Sequence, residues 1–283
     1  MRILVLGARG MLGTDLLNEW QSDELIPADV AEADLRHFEE VQELVSKVRP
    51  AWIILCAAYT DVDGCERNPE LAFAVNATGV ENVARAAQSV AARIFFVSTD
   101  YVFNGQGRRP YEASDPTAPL NVYGASKAAG EAALRKSNSN WCIGRTSWLF
   151  GVHGPSFPEK ILRAAETRPE LSVVNDQVGS PTYTRDLAVA IRDLVSKDVR
   201  GVVHITNQGV CSWFDFAREI LWQSGRGSVP VMPITTDQSA RPARRPSYSV
   251  LSPASLHAYG LRLRPWQEAL QAFLQERRSA VIS

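Results

Sequence analysis

The stretch NVYGASKAAGE, residues 121–131, places Tyr123 four positions before Lys127 among small residues. On a helix, positions i and i+4 share a face, so the phenol and the ammonium point the same way. A free phenol ionises near pH ~10, too high for acid–base exchange at neutral pH. A neighbouring ammonium favours the phenolate and lowers that value. Tyr123 could then give a proton to a ketone oxygen as hydride reaches the carbon, and Lys127 could also hold a nicotinamide ribose. Alone, this spacing is common on helix surfaces. The small neighbours Gly124, Ala125, Ala128, Ala129 and Gly130 suit close approach by a ligand, and equally suit simple helix packing.

The residues around the pair decide between those readings. FFVSTDYVF sets Ser98, Thr99 and Asp100 at the end of a short apolar run that reads as a strand. CAAYTD and GRTSW end two more such runs with small or hydroxyl residues. Ligands of open parallel sheets bind outside the carboxyl ends of the strands. VLGARGMLG adds Gly7, Gly10 and Gly13 between the first strand and the first helix. The first glycine permits a tight turn and the second lets backbone approach a pyrophosphate. The third allows close helix–sheet packing, and the helix N-terminus offers N–H groups to the phosphates. Asp29 ends the second strand, where a ribose-binding acid belongs and favours NAD. Arg9, inside the loop, suits the 2′-phosphate of NADP, so the two residues argue in opposite directions. Asp34 and Leu35 are expected to wall the adenine, with a helix N-cap as the equal alternative for Asp34.

The elements that must position these groups follow from hydrophobic patterning. Apolar runs at 2–7, 24–29, 51–58, 92–99 and 140–148 read as strands buried on both faces. Helices are expected over about 11–20, 36–48, 69–90 and 121–136, with Asn68-Pro69-Glu70 as a helix start. Strand–helix alternation implies right-handed crossovers and a doubly wound parallel sheet of Rossmann type, an α/β fold. After Trp148 the pattern turns to Gly, Pro and short runs up to 183. A helix at 185–196, a strand at 201–206 and helices at 212–223 and 266–278 follow. The expected division is a dinucleotide-binding domain, 1–148, rejoined by about 172–206. A smaller interleaved substrate domain takes 149–171 and 207–283.

The 283 residues are 45% hydrophobic and 22% charged, with a net charge of −1, which is ordinary for a globular chain and offers no nucleic-acid or membrane surface. Four scattered cysteines form no CxxC pair, and the opening apolar run is too short for a signal peptide. A cytoplasmic protein is expected. The four histidines show no HExxH spacing and TDVDGCE is no complete calcium loop, so no residue is assigned to metal and that segment reads as a polar loop by the cofactor.

Taken together, these motifs resemble the extended short-chain dehydrogenase/reductase superfamily, and within it the dTDP-4-dehydrorhamnose reductases. The likeness runs nearly end to end. It includes STDYVFNG (98–105), PLNVYGASKAAGE (119–131), RTSWLFG (145–151), LSVVNDQVGSPTY (171–183) and RPSYS (245–249). The resemblance implies Thr99, Tyr123 and Lys127 as the catalytic group, with Tyr123 as acid. It implies cofactor contacts at Gly7, Gly10, Met11, Leu12, Asp29, Asp34, Leu35, Ala58, Tyr59, Thr60, Tyr123 and Lys127, and substrate contacts at Thr99, Asp100 and Trp148. It further implies NADPH, often NADH too, a nucleotide-sugar substrate, and in some members a magnesium-linked homodimer. Arg245, in a Pro-rich loop with Arg241 and Arg244, could fork onto a diphosphate. Gln177, Ser180 and Thr182 fall in an expected substrate loop, with turn hydrogen bonding as their plainer role. Two other functions remain open on the residues alone: a 4-ketoreductase of different stereochemistry, and an NADP-binding regulatory subunit of methionine adenosyltransferase.

Overall fold

The structure, a computed structural model, describes residues 1–138 and 140–282. The first half runs β1 (Arg2–Leu6), α1 (Met11–Glu19), β2 (Glu24–Ala28), α2 (Phe38–Val48), β3 (Trp52–Leu55), α3 (Val62–Arg67), α4 (Pro69–Phe73), α5 (Gly79–Ser89), β4 (Arg93–Thr99), α6 (Val122–Ser137) and β5 (Trp141–Thr146). The second half runs β6 (Leu149–Phe150), α7 (Phe157–Thr167), β7 (Leu171–Val174), β8 (Val178–Gly179), β9 (Thr182–Tyr183), α8 (Thr184–Ser196), β10 (Gly201–His204), β11 (Cys211–Ser212), α9 (Trp213–Gln223), β12 (Val231–Ile234), α10 (Ala254–His257) and α11 (Trp266–Ile282).

Six strands form a parallel sheet in the order β2-β1-β3-β4-β5-β10. The near-continuous apolar runs are needed because side chains alternate between two covered faces. Ile3, Val5, Ile54 and Phe95 pack with Leu16 of α1 and Leu187, Ile191 and Leu194 of α8. Leu4, Leu6, Ile53, Leu55, Ile94 and Phe96 point the other way, onto Val41 and Val45 of α2, Val83 of α5 and Leu134 of α6. This is the doubly wound α/β sheet expected from the alternation. The Asn68 side chain accepts the Leu71 N–H at 3.1 Å, and Pro69 fills the first helical position, as the sequence signals. The helix expected over 69–90 is interrupted by a π-helical turn at Ala74–Thr78. That turn carries Asn76, whose side chain accepts the Tyr59 N–H and donates to the Tyr59 carbonyl and to Ser126 Oγ.

A second core sits beyond the sheet, where Phe150, Ile161, Leu162, Tyr183, Phe216, Ile220, Leu270 and Phe273 pack together. Three elements there and nearby depart from the sequence reading. Helix α7 occupies the stretch expected to be irregular, with Pro158 in its first turn and Ile161 and Leu162 buried. Strand β12 lies between the helices expected at 212–223 and 266–278, where the patterning gave no element, and pairs with β7. Residues 62–67, read as a polar loop, form α3. Residues 62–67 and 231–234 are too short for a period to stand out, and Gly154, Pro155 and Pro158 mask the start of α7. The chain re-enters the large sheet at β10, while β7, at the start of the segment expected to rejoin it, pairs with β12 instead. Among the described residues, no helix is long and apolar enough to cross a membrane.

Candidate active site

Strand β1 has β2 on one side and β3 on the other, so the connections leave it in opposite directions and open a crevice at the strand ends. A cavity of about 1110 Å³ begins there and crosses the ends of β4 and β5 toward α7 and α9. At its start the chain turns tightly. Gly7 has φ +84°, and a Cβ there would lie 2.6 Å from the Ala57 nitrogen. A Cβ on Gly13 would lie 2.2 Å from the Gly7 carbonyl, so α1 sits directly on the turn. Helix α1 has glycine, with no capping side chain, as its N-cap and no acid in its first turn. Its positive end therefore faces the cavity uncompensated, and Gly10, Met11 and Leu12 line that wall. This cradle fits the pyrophosphate of a dinucleotide.

Arg9, Asp29, Asp34 and Leu35 line the next part of the cavity, with Ala58 and Thr60 across from them. Asp29 accepts the Arg9 N–H at 3.0 Å, closing the glycine turn onto β2. Asp34 is not a helix cap, since His37 precedes α2. Its carboxylate takes Arg36, and the Arg36 hydrogen bonds hold it at about 2. Leu35 is buried against α5 beside Gly79. Tyr59 is not among the residues lining the cavity; Asn76 holds its backbone and its phenol lies against Gly64 of α3.

Thr99, Asp100, Tyr123 and Lys127 meet in the middle of the cavity. Helix α6 starts at Asn121, whose side chain accepts the Gly124 N–H at 2.8 Å and donates to the Arg244 carbonyl at 2.7 Å. That cap puts Tyr123 in the first turn and Lys127 one turn on. The Tyr123 ring meets Tyr101 edge-on, with centroids 5.7 Å apart. Thr99 Oγ1 accepts the Tyr101 N–H at 3.2 Å and donates to Asp100 Oδ1 at 3.0 Å. The small residues of α6 serve packing: a Cβ on Gly130 would lie 2.1 Å from the Asn76 carbonyl, and one on Gly124 2.1 Å from the Tyr101 carbonyl.

The electrostatics correct one expectation. Lys127 was expected to lower the phenol, yet burial raises Tyr123 above its ordinary value, and it is the Thr99 hydroxyl that opposes the rise. Lys127 Nζ donates to the Val97 carbonyl at 2.8 Å and sits 4.1 Å from the centre of the Phe96 ring. Burial lowers it to about 7 against the opposing pull of Glu131 and Cys56. Desolvation outweighs the Thr99 bond, so the phenol keeps its proton at neutral pH. Burial also raises Asp100 to about 7.

One supporting network had no sequence signal. Glu131 and Arg145, each 1% exposed, form a bidentate pair at 2.8 and 2.7 Å. Ser98 and Arg135 also donate to Glu131, at 2.7 and 3.0 Å. Burial pushes the Glu131 carboxyl up, but the Arg145 bonds and charge more than offset it and hold it below its ordinary value. The pair ties α6 to β5, and so fixes the helix that presents Tyr123 and Lys127.

At the far end Trp148, with φ +48°, stacks on Trp213 at 3.6 Å, and both line the cavity. Ser156, Phe157 and Lys160 of the α7 segment complete that wall together with Arg241. The sequence reading missed Lys160 and Trp213; Ser156 followed by Pro158 and Glu159 was the available helix-start signal. Arg245, expected on a diphosphate, is not among the lining residues and instead bonds Asp63 at 2.5 Å and the Ala243 carbonyl at 2.6 Å. Asp63 also accepts the Ala243 N–H at 3.1 Å and Arg241 at 3.3 Å, and these bonds, Arg245 foremost, hold its carboxyl at about 2. Gln177, Ser180 and Thr182 also fall outside the lining, where Gln177 bonds Thr236 and Ser180 bonds the Gly209 carbonyl, as in their plainer role. Asp15, His153 and Glu276, far apart in sequence, come within 4.8 Å of one another. Burial raises Asp15, and Arg185 faces both acids. With one imidazole, two carboxylates and a nearby guanidinium, this trio is not the all-oxygen cage that magnesium prefers.

The chain is similar to proteins already known. The spore coat polysaccharide biosynthesis protein SpsK of Bacillus subtilis is 39% identical over 281 residues, covering 99% of this chain and 99% of that protein. A dTDP-4-dehydrorhamnose reductase of Mycobacterium tuberculosis is 41% identical over 293 residues, covering 96% of this chain and 92% of that one. The crystal structure of dTDP-4-dehydrorhamnose reductase from Bacillus anthracis in complex with NADP superposes with a TM-score of 0.95 at 40% identity, covering 97% of this chain and 99% of that chain. The family model described as RmlD substrate binding domain matches residues 1–279, and the chain belongs to that family.

Proposed function

We propose that this chain is an NAD(P)H-dependent oxidoreductase that reduces the C4 ketone of dTDP-4-dehydro-L-rhamnose to dTDP-L-rhamnose. The observation that carries the reading is a single cavity joining the glycine turn to Thr99, Tyr123, Lys127 and Trp148. Bound NADPH, or NADH, would supply the hydride. Tyr123 would give its proton to the C4 oxygen as the carbon–oxygen π pair is displaced. A phenol that holds its proton at neutral pH arrives loaded as a general acid. Thr99 orients it, and Lys127, one turn along the same helix face, supplies positive charge to the phenolate left behind. Burial lowers that amine to about 7, so it titrates near neutral pH. Lys160 and Arg241 are the cavity cations beyond the cofactor end, and we assign them, in place of Arg245, to the substrate diphosphate. The stacked Trp148 and Trp213 form an apolar wall for the deoxysugar. The cysteines are free, three of them buried, which suits a reducing compartment, and we place the enzyme in the cytoplasm.

The test follows NADPH absorbance with enzymatically generated dTDP-4-dehydro-L-rhamnose and identifies the product by NMR. The expected result is turnover to dTDP-L-rhamnose, with Tyr123→Phe lowering kcat by about 10²–10⁴-fold. Full turnover by a folded Tyr123→Phe would end the proton-donor role. A different epimer as product would replace the substrate assignment and keep the site.

A further inference from the structure

Two arginines flank the adenosine end of the cavity, and each already has an acid. Arg36 is held by Asp34. Arg9 Nη2 donates to Glu32 Oε1 at 2.7 Å, while the other Glu32 oxygen accepts the Asp29 N–H at 2.8 Å. Asp29 in turn accepts the Arg9 N–H at 3.0 Å and the Val30 N–H at 2.9 Å. Arg9 and Asp29 line the cavity, whereas Glu32 stands behind them. Glu32 therefore holds in place both groups that would meet an adenosine ribose.

The two nicotinamide cofactors differ at this spot alone. A ribose 2′-hydroxyl can donate to the Asp29 carboxylate, while a 2′-phosphate brings nearly two negative charges and needs a cation. Arg9, in the glycine turn itself, can fork onto a phosphate, and its guanidinium is 65% exposed. To do so it must leave Glu32, which then stands as a bare carboxylate beside the phosphate. We propose that Glu32 sets the cofactor preference of this chain by competing with the 2′-phosphate for Arg9. In the NADH state Arg9 stays on Glu32 and Asp29 takes the ribose hydroxyl. In the NADPH state Arg9 exchanges one anion for another, so Glu32 limits a preference that Arg9 creates. Both partners are solvent-exposed, which keeps the exchange shallow and lets both cofactors bind.

The inference rests on the dinucleotide reading above, so its test uses fragments that need no turnover. Calorimetry measures 2′,5′-ADP and 5′-ADP on the wild type, Glu32→Gln and Arg9→Gln, with thermal unfolding of each variant as a folding control. Glu32→Gln keeps an oxygen for the Asp29 N–H and removes only the charge. It should raise the affinity ratio for 2′,5′-ADP over 5′-ADP by about tenfold, and the KM ratio of NADH over NADPH should follow. Arg9→Gln should lower the same fragment ratio by about tenfold, and added salt should shrink the Glu32→Gln effect. A ratio unchanged within about twofold in Glu32→Gln, with both fragments binding, would overturn the inference and leave the dinucleotide reading standing. Binding of neither fragment to the wild type would overturn both.

Discussion

Neutralising Glu131 tests whether one buried ion pair holds the helix that carries Tyr123 and Lys127. Glu131 and Arg145 are each 1% exposed, and Glu131 accepts from Arg145 twice, from Ser98 and from Arg135. Glu131→Gln would strand the Arg145 guanidinium, whose other side-chain contacts are the Ala113 carbonyl at 3.4 Å and the Phe103 ring at 5.1 Å. Removing one member of a buried pair costs about 3–5 kcal/mol, because the remaining charge stays buried and unpaired. For a chain of this length, with an unfolding entropy of about 0.6 kcal/mol/K, that corresponds to a fall in melting temperature of about 5–8 °C. Scanning calorimetry of the cofactor-free protein measures it. The second readout is chemical: the Glu131 charge opposes the depression of Lys127, so its loss should lower that amine further and shift the pH–rate profile to lower pH. A cycle with Arg145→Met separates the pair from its parts, and the double variant should be less destabilised than the two singles summed by about 2 kcal/mol or more. A drop of under about 3 °C for Glu131→Gln, or strict additivity in the cycle, would refute the claim that this pair anchors α6.

Gly130→Ala places a Cβ 2.1 Å from the Asn76 carbonyl and should destabilise by about 2–3 kcal/mol in urea unfolding, whereas a near-neutral result would mean that α6 can retreat from the π-turn. Lys127 is lowered to about 7 from an unfolded value of 10.5, so the unfolded chain binds the extra proton between those limits and stability should rise with pH across them. The difference between wild type and Lys127→Met should therefore shift in favour of the wild type by up to about 2–3 kcal/mol from pH 7 to pH 9, read from urea midpoints. The Asp63 carboxyl is depressed to about 2, so its contribution is present above the unfolded value and lost as pH falls through about 2. Asp63→Asn should cost about 1–2 kcal/mol at neutral pH, converge with wild type near pH 2, and raise the KM for the nucleotide sugar as the 241–245 loop comes loose.

Much of the site was legible because its residues sit at strand ends and in one helical turn, where position in the chain dictates position in space. Gly7, Gly10, Asp29, Thr99 and Tyr123 occupy the ends of β1, β2 and β4 and the start of α6, and the parallel order of the sheet brings them to one edge. Near-continuous apolar runs demanded two covered faces, and with the strand–helix alternation they imply the doubly wound arrangement. Local signals also carried the Asn68 cap and the close fit of Gly13.

Charges were legible only as candidates, because a charge acts through whatever lies opposite it. Arg245 faces Asp63 and lies off the cavity wall, and Lys160 carried no signal until α7 brought it to that wall. The Tyr123–Lys127 spacing was read correctly, but its electrostatic sense depended on burial, and burial comes from the whole fold. Glu131 and Arg145 are fourteen positions apart and belong to different elements, so no periodicity links them. The sequence by itself determined the sheet, its glycine turn and the chemical groups at the strand ends, since backbone conformation and hydrophobic period are local properties. Only the tertiary structure decided which charges pair, which dry out and which remain free to meet a ligand, since solvation and Coulomb energies depend on distances between residues that the chain keeps far apart.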